Sequence, residues 1–313
     1  MKKILLATTI LAASAGFASA EVALSGSAYM GLMNDFGAGD DTIFVSQARV
    51  KFTLSGETDG GLTFGATFRA DNARNGFGLS ANNGTAGSVY IQGAFGKLSM
   101  GDVDGAAVSA VPQVSYVGLT SLGSFNELWH IGTGGGSVTN GSGTSGTSDD
   151  PSLLYEYSAG DLSVYVSATN PSGSLDAYGV GVKYAMGNYS VGLAFEQGDL
   201  PTGPSVSQVT LGGSATFGAA TIHAGFVQTD FGGAADTAND YALSIDYVVN
   251  AATVTAYYTD REETGGRAAY GLGVAYDLGG GAKVMAGYVH LQESTTYGYL
   301  GDDAFDLGVS MSF

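Results

Sequence analysis

The chain has 313 residues, with 29 Asp+Glu against 11 Lys+Arg, a balance that argues against nucleic-acid binding. It contains no cysteine, which excludes disulfides, thiol catalysis and cysteine-ligated metals and places no stability on oxidation. Charged residues make up only 13% of the chain while 51 residues are glycine, an unusual make-up for an enzyme.

The first twenty residues have the form of an export signal. Lys2 and Lys3 are a basic start, Ile4 to Ala13 is a short apolar run, and Ala18-Ser19-Ala20 is a small-x-small cleavage site that places the mature start at Glu21. The apolar run is too short for a membrane anchor, and beyond it there is no apolar stretch near the roughly 18 residues of a spanning helix. If the mature chain enters a membrane, it does so as strands.

From Glu21 onward the chain alternates with period two, the signature of strands with one apolar face. Val22, Leu24, Ala28, Met30 and Leu32 stand on one face of the first strand, followed by Ala48, Val50, Phe52 and Leu54, then by Leu62, Phe64, Ala66 and Phe68. Val89, Ile91 and Phe95 lead through a tight turn to Leu98 and Met100. After a long break the pattern resumes at Leu153 and returns without interruption to Phe305, Leu307, Val309, Met311 and Phe313, the last residue. The count is about sixteen strands, an even number as a closed bacterial barrel requires.

The connections sort into two kinds. Short Gly- or Asn-bearing turns occur near Gly56 to Gly61, at Gly96, Gly160, Gly187-Asn188, Gly218, Asn250 and Gly279 to Gly281, where residues able to take φ > 0 suit tight hairpins. Longer, acidic connections alternate with them. Short turns at one rim and long loops at the other describe a transmembrane antiparallel β-barrel with both termini on the periplasmic side. A soluble β-sandwich has shorter strands and does not sort its connections by rim. A calcium-binding β-solenoid would show a short glycine period, which is lacking here. Tyr and Phe near the ends of the apolar stripes, such as Tyr189 and Phe195 or Tyr270 and Tyr276, suit two interfacial girdles.

The opposite face carries Gln47, Arg49, Lys51, Thr63, Thr67, Arg69, Lys183, Glu196, Asp246 and Asp277 among many small polar residues, and so lines a water-filled lumen. Arg49, Lys51 and Arg69 lie on two adjacent strands with Arg74 following at the rim. They read equally well as a basic strip on the pore wall and as partners of nearby carboxylates such as Asp71.

The longest break in the period runs from Val103 to Asp150, a length that is functional or disordered. Its first part, with Val108, Val111, Val114, Val117, Leu119, Leu122, Phe125, Leu128 and Trp129, is too apolar for a free surface loop. Folding inward would bury these residues and narrow the lumen. Its second part, Gly132 to Ser148, is rich in Gly, Ser and Thr and is expected to be mobile.

The segment Gly96-Lys97-Leu98-Ser99-Met100-Gly101-Asp102 and the long loop after it resemble the fifth strand and third loop of the general diffusion porins, closest to those of photosynthetic and related alphaproteobacteria. The resemblance spans Glu21 to Phe313. It implies a homotrimer of sixteen-stranded barrels in the outer membrane, in contact with its lipid and lipopolysaccharide. It implies a C-terminal strand read by the barrel-assembly machinery, and a third loop folded into a constriction. The same resemblance implies that Asp102, Asp104 and Glu127 form the acidic side of that constriction, facing Arg49, Lys51, Arg69 and Arg74. The loop has fewer acids than the family pattern, and Asp149 and Asp150 stand beyond its apolar part.

The functional expectation is passive diffusion of ions and small hydrophilic solutes, with weak cation preference. A substrate-specific channel is the nearest rival, followed by a barrel enzyme and an adhesive barrel with a filled lumen. His130, His223 and His290 come with no nucleophile elbow or H-E-x-x-H pattern, so catalysis is not expected. No cofactor is expected. The loop acids Asp40, Asp41, Asp302 and Asp303 are read as solvated charge in preference to a Ca²⁺ site.

Overall fold

A computed structural model describes residues 20–34, 42–71, 87–131, 137–139, 145–147, 152–169, 176–199, 204–233, 237–262, 267–293 and 302–313. The first five strands are β1 (Glu21–Asn34), β2 (Thr42–Glu57), β3 (Thr63–Asp71), β4 (Gly87–Gly93) and β5 (Gly96–Gly101). Two three-residue strands, β6 (Ser137–Thr139) and β7 (Ser145–Thr147), pair only with each other, and the period had not announced them. Then come β8 (Ser152–Ala159), β9 (Leu162–Ala168), β10 (Asp176–Met186), β11 (Tyr189–Asp199) and β12 (Val206–Phe217). The chain continues through β13 (Ala220–Asp230), β14 (Thr237–Val249), β15 (Ala252–Arg261), β16 (Arg267–Gly279), β17 (Ala282–Leu291) and β18 (Asp302–Ser312). All but β6 and β7 form one closed antiparallel barrel of sixteen strands, in which β5 pairs directly with β8.

Closure is made by the two ends of the chain. Ser27 to Asn34 of β1 pair with Ser312 to Phe305 of β18, and Gly26 and Phe313 exchange both backbone hydrogen bonds, at 3.1 and 2.9 Å. The barrel sheet therefore has no open edge, as a barrel in lipid requires.

The outward face is an apolar band. Leu193, Leu211, Leu243, Ile245, Leu272, Val274 and Leu307 are all exposed there, where a soluble protein would place polar side chains. Tyr178, Tyr241, Tyr258, Tyr270, Tyr288 and Phe305 flank the band toward the long loops, and Tyr184, Tyr189, Phe217, Tyr247 and Tyr276 flank it toward the short turns. These are the two aromatic girdles expected of an outer-membrane barrel. No helix among the described residues is long and apolar enough to cross a membrane.

The core lies inside the barrel. Inward-facing Val45, Val227, Ala242, Val289, Leu291 and Ala304 are at most 4% exposed, and they pack against Val114, Val117, Leu122 and Leu128 of the segment that follows β5.

Candidate functional site

After β5 the chain leaves the wall, tied by a hydrogen bond of 2.9 Å from Asp102 N–H to Gly87 O. The short helix α1 (Ala106–Ala110) comes next. Its Ala106 N–H donates to Ser167 Oγ of β9 at 2.9 Å, and Ala107 N–H to Glu196 Oε1 of β11 at 3.4 Å. Further along, Ser115 N–H donates to Ser244 Oγ of β14 at 3.0 Å, and Ser115 Oγ to Asp246 Oδ2 at 2.5 Å. At the far tip, Leu119 N–H, Thr120 N–H and Thr120 Oγ1 all donate to Asp306 Oδ2 of β18, at 2.7 to 2.8 Å. The chain then turns at Ser121–Ser124 and returns. Thr259 of β15 donates to Phe125 O at 2.7 Å, and Ile131 N–H reaches Gln208 of β12 at 2.9 Å. A single segment that touches β9, β11, β12, β14, β15 and β18 can only run inside the barrel. The predicted inward fold of the loop's apolar part is present.

The inner wall is shaped to receive this segment. A side chain at Gly181 of β10 would come within 2.7 Å of Ala106 O. One at Gly212 of β12 would meet Val111 at 2.5 Å, one at Gly273 of β16 Val117 at 2.8 Å, and one at Gly308 of β18 Leu119 at 2.5 Å. At Gly287 of β17 the obstacle is the backbone of Gly118 itself. These inward glycines form a track on which the loop backbone rests. They were visible in the sequence as small inward positions, but no signal there marked what they face. The same holds for the anchors Ser167, Ser244 and Asp306, none of which sequence reasoning selected.

The two limbs of the loop also hold each other. Leu128 N–H and Gln113 Oε1 bond at 2.7 Å, Gln113 Nε2 donates to Leu128 O at 2.6 Å, and Asn126 Nδ2 donates to Val114 O at 2.7 Å. His130 is buried against Thr210, and burial holds its imidazole well below the ordinary histidine range, at about 4. Each buried leucine or valine adds roughly 1.5–3 kcal/mol relative to exposure, so the loop is an integral layer of the barrel interior.

Asp102, Asp104 and Glu127, the predicted acids, are all exposed on this loop. Burial, and then the charge of Asp102, push the Asp104 carboxyl above its usual range. Burial also raises Glu127, with Arg261 opposing and Asp104 adding to the rise. The outgoing and returning limbs thus bring the three acids into one electrostatic group. Arg49 and Lys51 sit two residues apart on the inner face of β2, and Arg69 of β3 stands directly opposite Lys51 in register. Arg74, Asp149, Asp150, Asp40 and Asp41 lie outside the described residues, as does most of Gly132 to Ser148. Lys97 of β5 pairs with Glu156 of β8 at 3.2 Å on the same inner face.

The histidines divide as their surroundings dictate. His223 faces inward beside Asp246, at 3.7 Å, and His290 bonds Asp303 at 2.7 Å. Among the described residues no group of three or more His, Asp or Glu side chains is disposed to hold a metal ion.

Comparison with known proteins decides the family. A family model described as Gram-negative porin matches residues 7–296. The chain belongs to this family. A curated porin of Rhodobacter capsulatus is 36% identical, with 94% of this chain and all of that porin covered, and a porin of Fuscovulum blasticum is 27% identical over the same shares. A solved porin refined at 1.8 Å resolution superposes with a TM-score of 0.72 at 32% identity, covering 94% of this chain and 100% of that one. A mutant of Rh. blastica porin superposes with a TM-score of 0.69 at 25% identity, covering 93% and 100%. The protein is therefore an outer-membrane porin of the alphaproteobacterial general type, as the motif around Gly96 to Asp102 had implied. Its curated relatives are named porins.

Proposed function

We propose that this porin passes ions and small hydrophilic solutes by diffusion through a constriction with weak cation preference. Asp102, Asp104 and Glu127 form the acidic side of the constriction, and Arg49, Lys51, Arg69 and Arg74 the basic side. The observation that carries this reading is the facing pair Lys51 and Arg69. With Arg49 two residues from Lys51 on the same strand, three cations converge on one patch of the inner wall, where their summed field acts on a passing solute. The loop covers the wall from β9 round to β1 and reaches Val45 of β2, while Lys51 and Arg69 stay exposed, so solute passes between an acidic loop and a basic strip. Charge rings of this kind set selectivity. With Lys2 and Lys3 removed, nine basic residues stand against 29 acids, which tips the mouth toward cations.

Reversal potentials across a planar bilayer in a KCl gradient test the proposal. A small potential of the sign for cation flow is expected, and a clear anion preference would overturn it.

Residues 1–20 are removed on export, and the barrel-assembly machinery reads the strand that ends at Phe313. Three copies associate through the outward hollow lined by Leu24, Gly26, Ala28, Ala48, Val50 and Phe313, where small side chains let barrels approach closely, the rest of the outer face meeting lipid and lipopolysaccharide. The mass in mild detergent reads this part directly: three chains are expected, and a single chain would remove it.

A further inference from the structure

We propose that Arg261, at the end of β15, is a specificity-determining residue of the pore that acts by positioning Glu127. The inference rests on the reading of Glu127 as a constriction acid.

Tyr257, Thr259 and Arg261 are successive inward residues of β15, the face turned to the loop's returning limb. Thr259 Oγ1 donates to Phe125 O at 2.7 Å, and Arg261 Nη1 donates to Glu127 O at 3.3 Å. The Arg261 guanidinium also lies over the Phe125 ring, 5.2 Å from its centroid. Between these two residues, Asn126 is 3% exposed and bonds the outgoing limb at Val114 O. The backbone of residues 125–127 is thus gripped from the wall by β15 and from the other side by the loop itself. What the grip leaves outside is the Glu127 side chain, which is exposed. Arginine suits this place because its planar fork can donate and stack at once, which the compact ammonium of lysine cannot. On the wall Arg261 stands in register between Asp240 of β14 and Arg267 of β16, and it reaches forward to the loop at Phe125 and Glu127.

A cation that merely offset the lumen acids and a cation that positions one of them give opposite signs. Deleting an offsetting charge raises cation preference. Deleting a positioning residue lets the limb move and lowers it. The test is the reversal potential in a KCl gradient for wild type, Arg261→Gln, Arg261→Lys, Glu127→Gln and the double variant Arg261→Gln/Glu127→Gln. The expected result is a permeability ratio of K⁺ over Cl⁻ that falls in Arg261→Gln to near that of Glu127→Gln, although a positive charge has been removed. Arg261→Lys, which keeps the charge, falls too. The double variant falls no further than Glu127→Gln alone, the non-additivity of residues that act as one unit. A rise of the ratio in Arg261→Gln, or a wild-type ratio in Arg261→Lys, overturns the proposal while leaving Glu127 in place. A wild-type ratio in Glu127→Gln removes the constriction reading and this inference with it. Should the Arg261 variants fail to assemble, Thr259→Val loosens the same grip with no change of charge. It is expected to lower the ratio, and an unchanged ratio there counts against the grip.

Discussion

Two parts of the inner wall are built on opposite plans. From β9 round to β18, where the loop lies, Gly181, Gly212, Gly273, Gly287 and Gly308 stand beneath it, with Ser167, Ser244, Asp246 and Asp306 as hydrogen-bonding anchors. Farther along β2 and on β3, the inward Arg49, Lys51 and Arg69 are long and charged, with Lys51 and Arg69 both exposed. Removing a side chain on one stretch of wall makes a seat for backbone, and keeping long ones on the other fills the lumen with hydrated charge. The inward glycines therefore record where the loop backbone sits, and the cluster of long cations records a stretch of wall that stays beside water.

The largest expected effect comes from closing the seat. Gly287→Leu places a side chain where the Gly118 backbone runs, and overpacking of this kind costs about 1–3 kcal/mol or more. Rapid protease cleavage within residues 102–131 and a lower unfolding temperature are expected. Thr53→Leu on the open wall serves as the control and should change neither. Equal damage from both variants would mean that the two walls do not differ.

Acid should loosen the same seat. His130 titrates at about 4 when buried and near the ordinary 6.5 once the limb is released. Because the released form binds the proton more readily, packing is at full strength above pH 6.5. It weakens as pH falls from 6.5 to 4, by about 3 kcal/mol when the proton is fully bound. The readout is protease sensitivity against pH for wild type minus His130→Asn. The difference should grow below pH 6.5, and a flat difference would show that His130 is not held neutral by packing.

A smaller effect is expected at the loop tip. Asp306→Asn weakens three donors to one carboxylate oxygen, and hydrogen bonds to charged groups contribute about 1.5–3 kcal/mol. Noisier single-channel current is the expected signature, with an ordinary unfolding temperature for the barrel itself. On the open wall the smallest change is expected. Lys51→Gln should raise cation preference while leaving loop protection untouched, because the hydrogen bonds that anchor the described loop residues fall on other strands.

Much of this was legible in the sequence. Period-two alternation placed the strands, the sorting of turns by rim closed them into a barrel, and the apolar residues from Val108 to Trp129 required something to pack against. The inward direction of Gly181, Gly192 and Gly212 could be read from their apolar neighbours, Val180, Val191 and Leu211 among them. Their purpose could not, because the backbone they receive belongs to residues far away in the chain. Asp306 shows the same limit: alternation turned it inward, but only the folded loop brings Leu119 and Thr120 to its carboxylate. The grouping of Asp102 and Asp104 with Glu127 likewise exists only because the two limbs meet.

Thiol accessibility is the most direct test of the two-wall account. The chain has no cysteine, so Lys51→Cys and Thr210→Cys each introduce a single thiol, one on the open wall and one 1% exposed beneath the loop. A charged methanethiosulfonate reagent added to open channels in a bilayer should step the current down at once in Lys51→Cys and leave Thr210→Cys unaffected. Equal reaction at both sites, or reaction at Thr210→Cys alone, would contradict a loop seated on that wall with the passage beside β2 and β3.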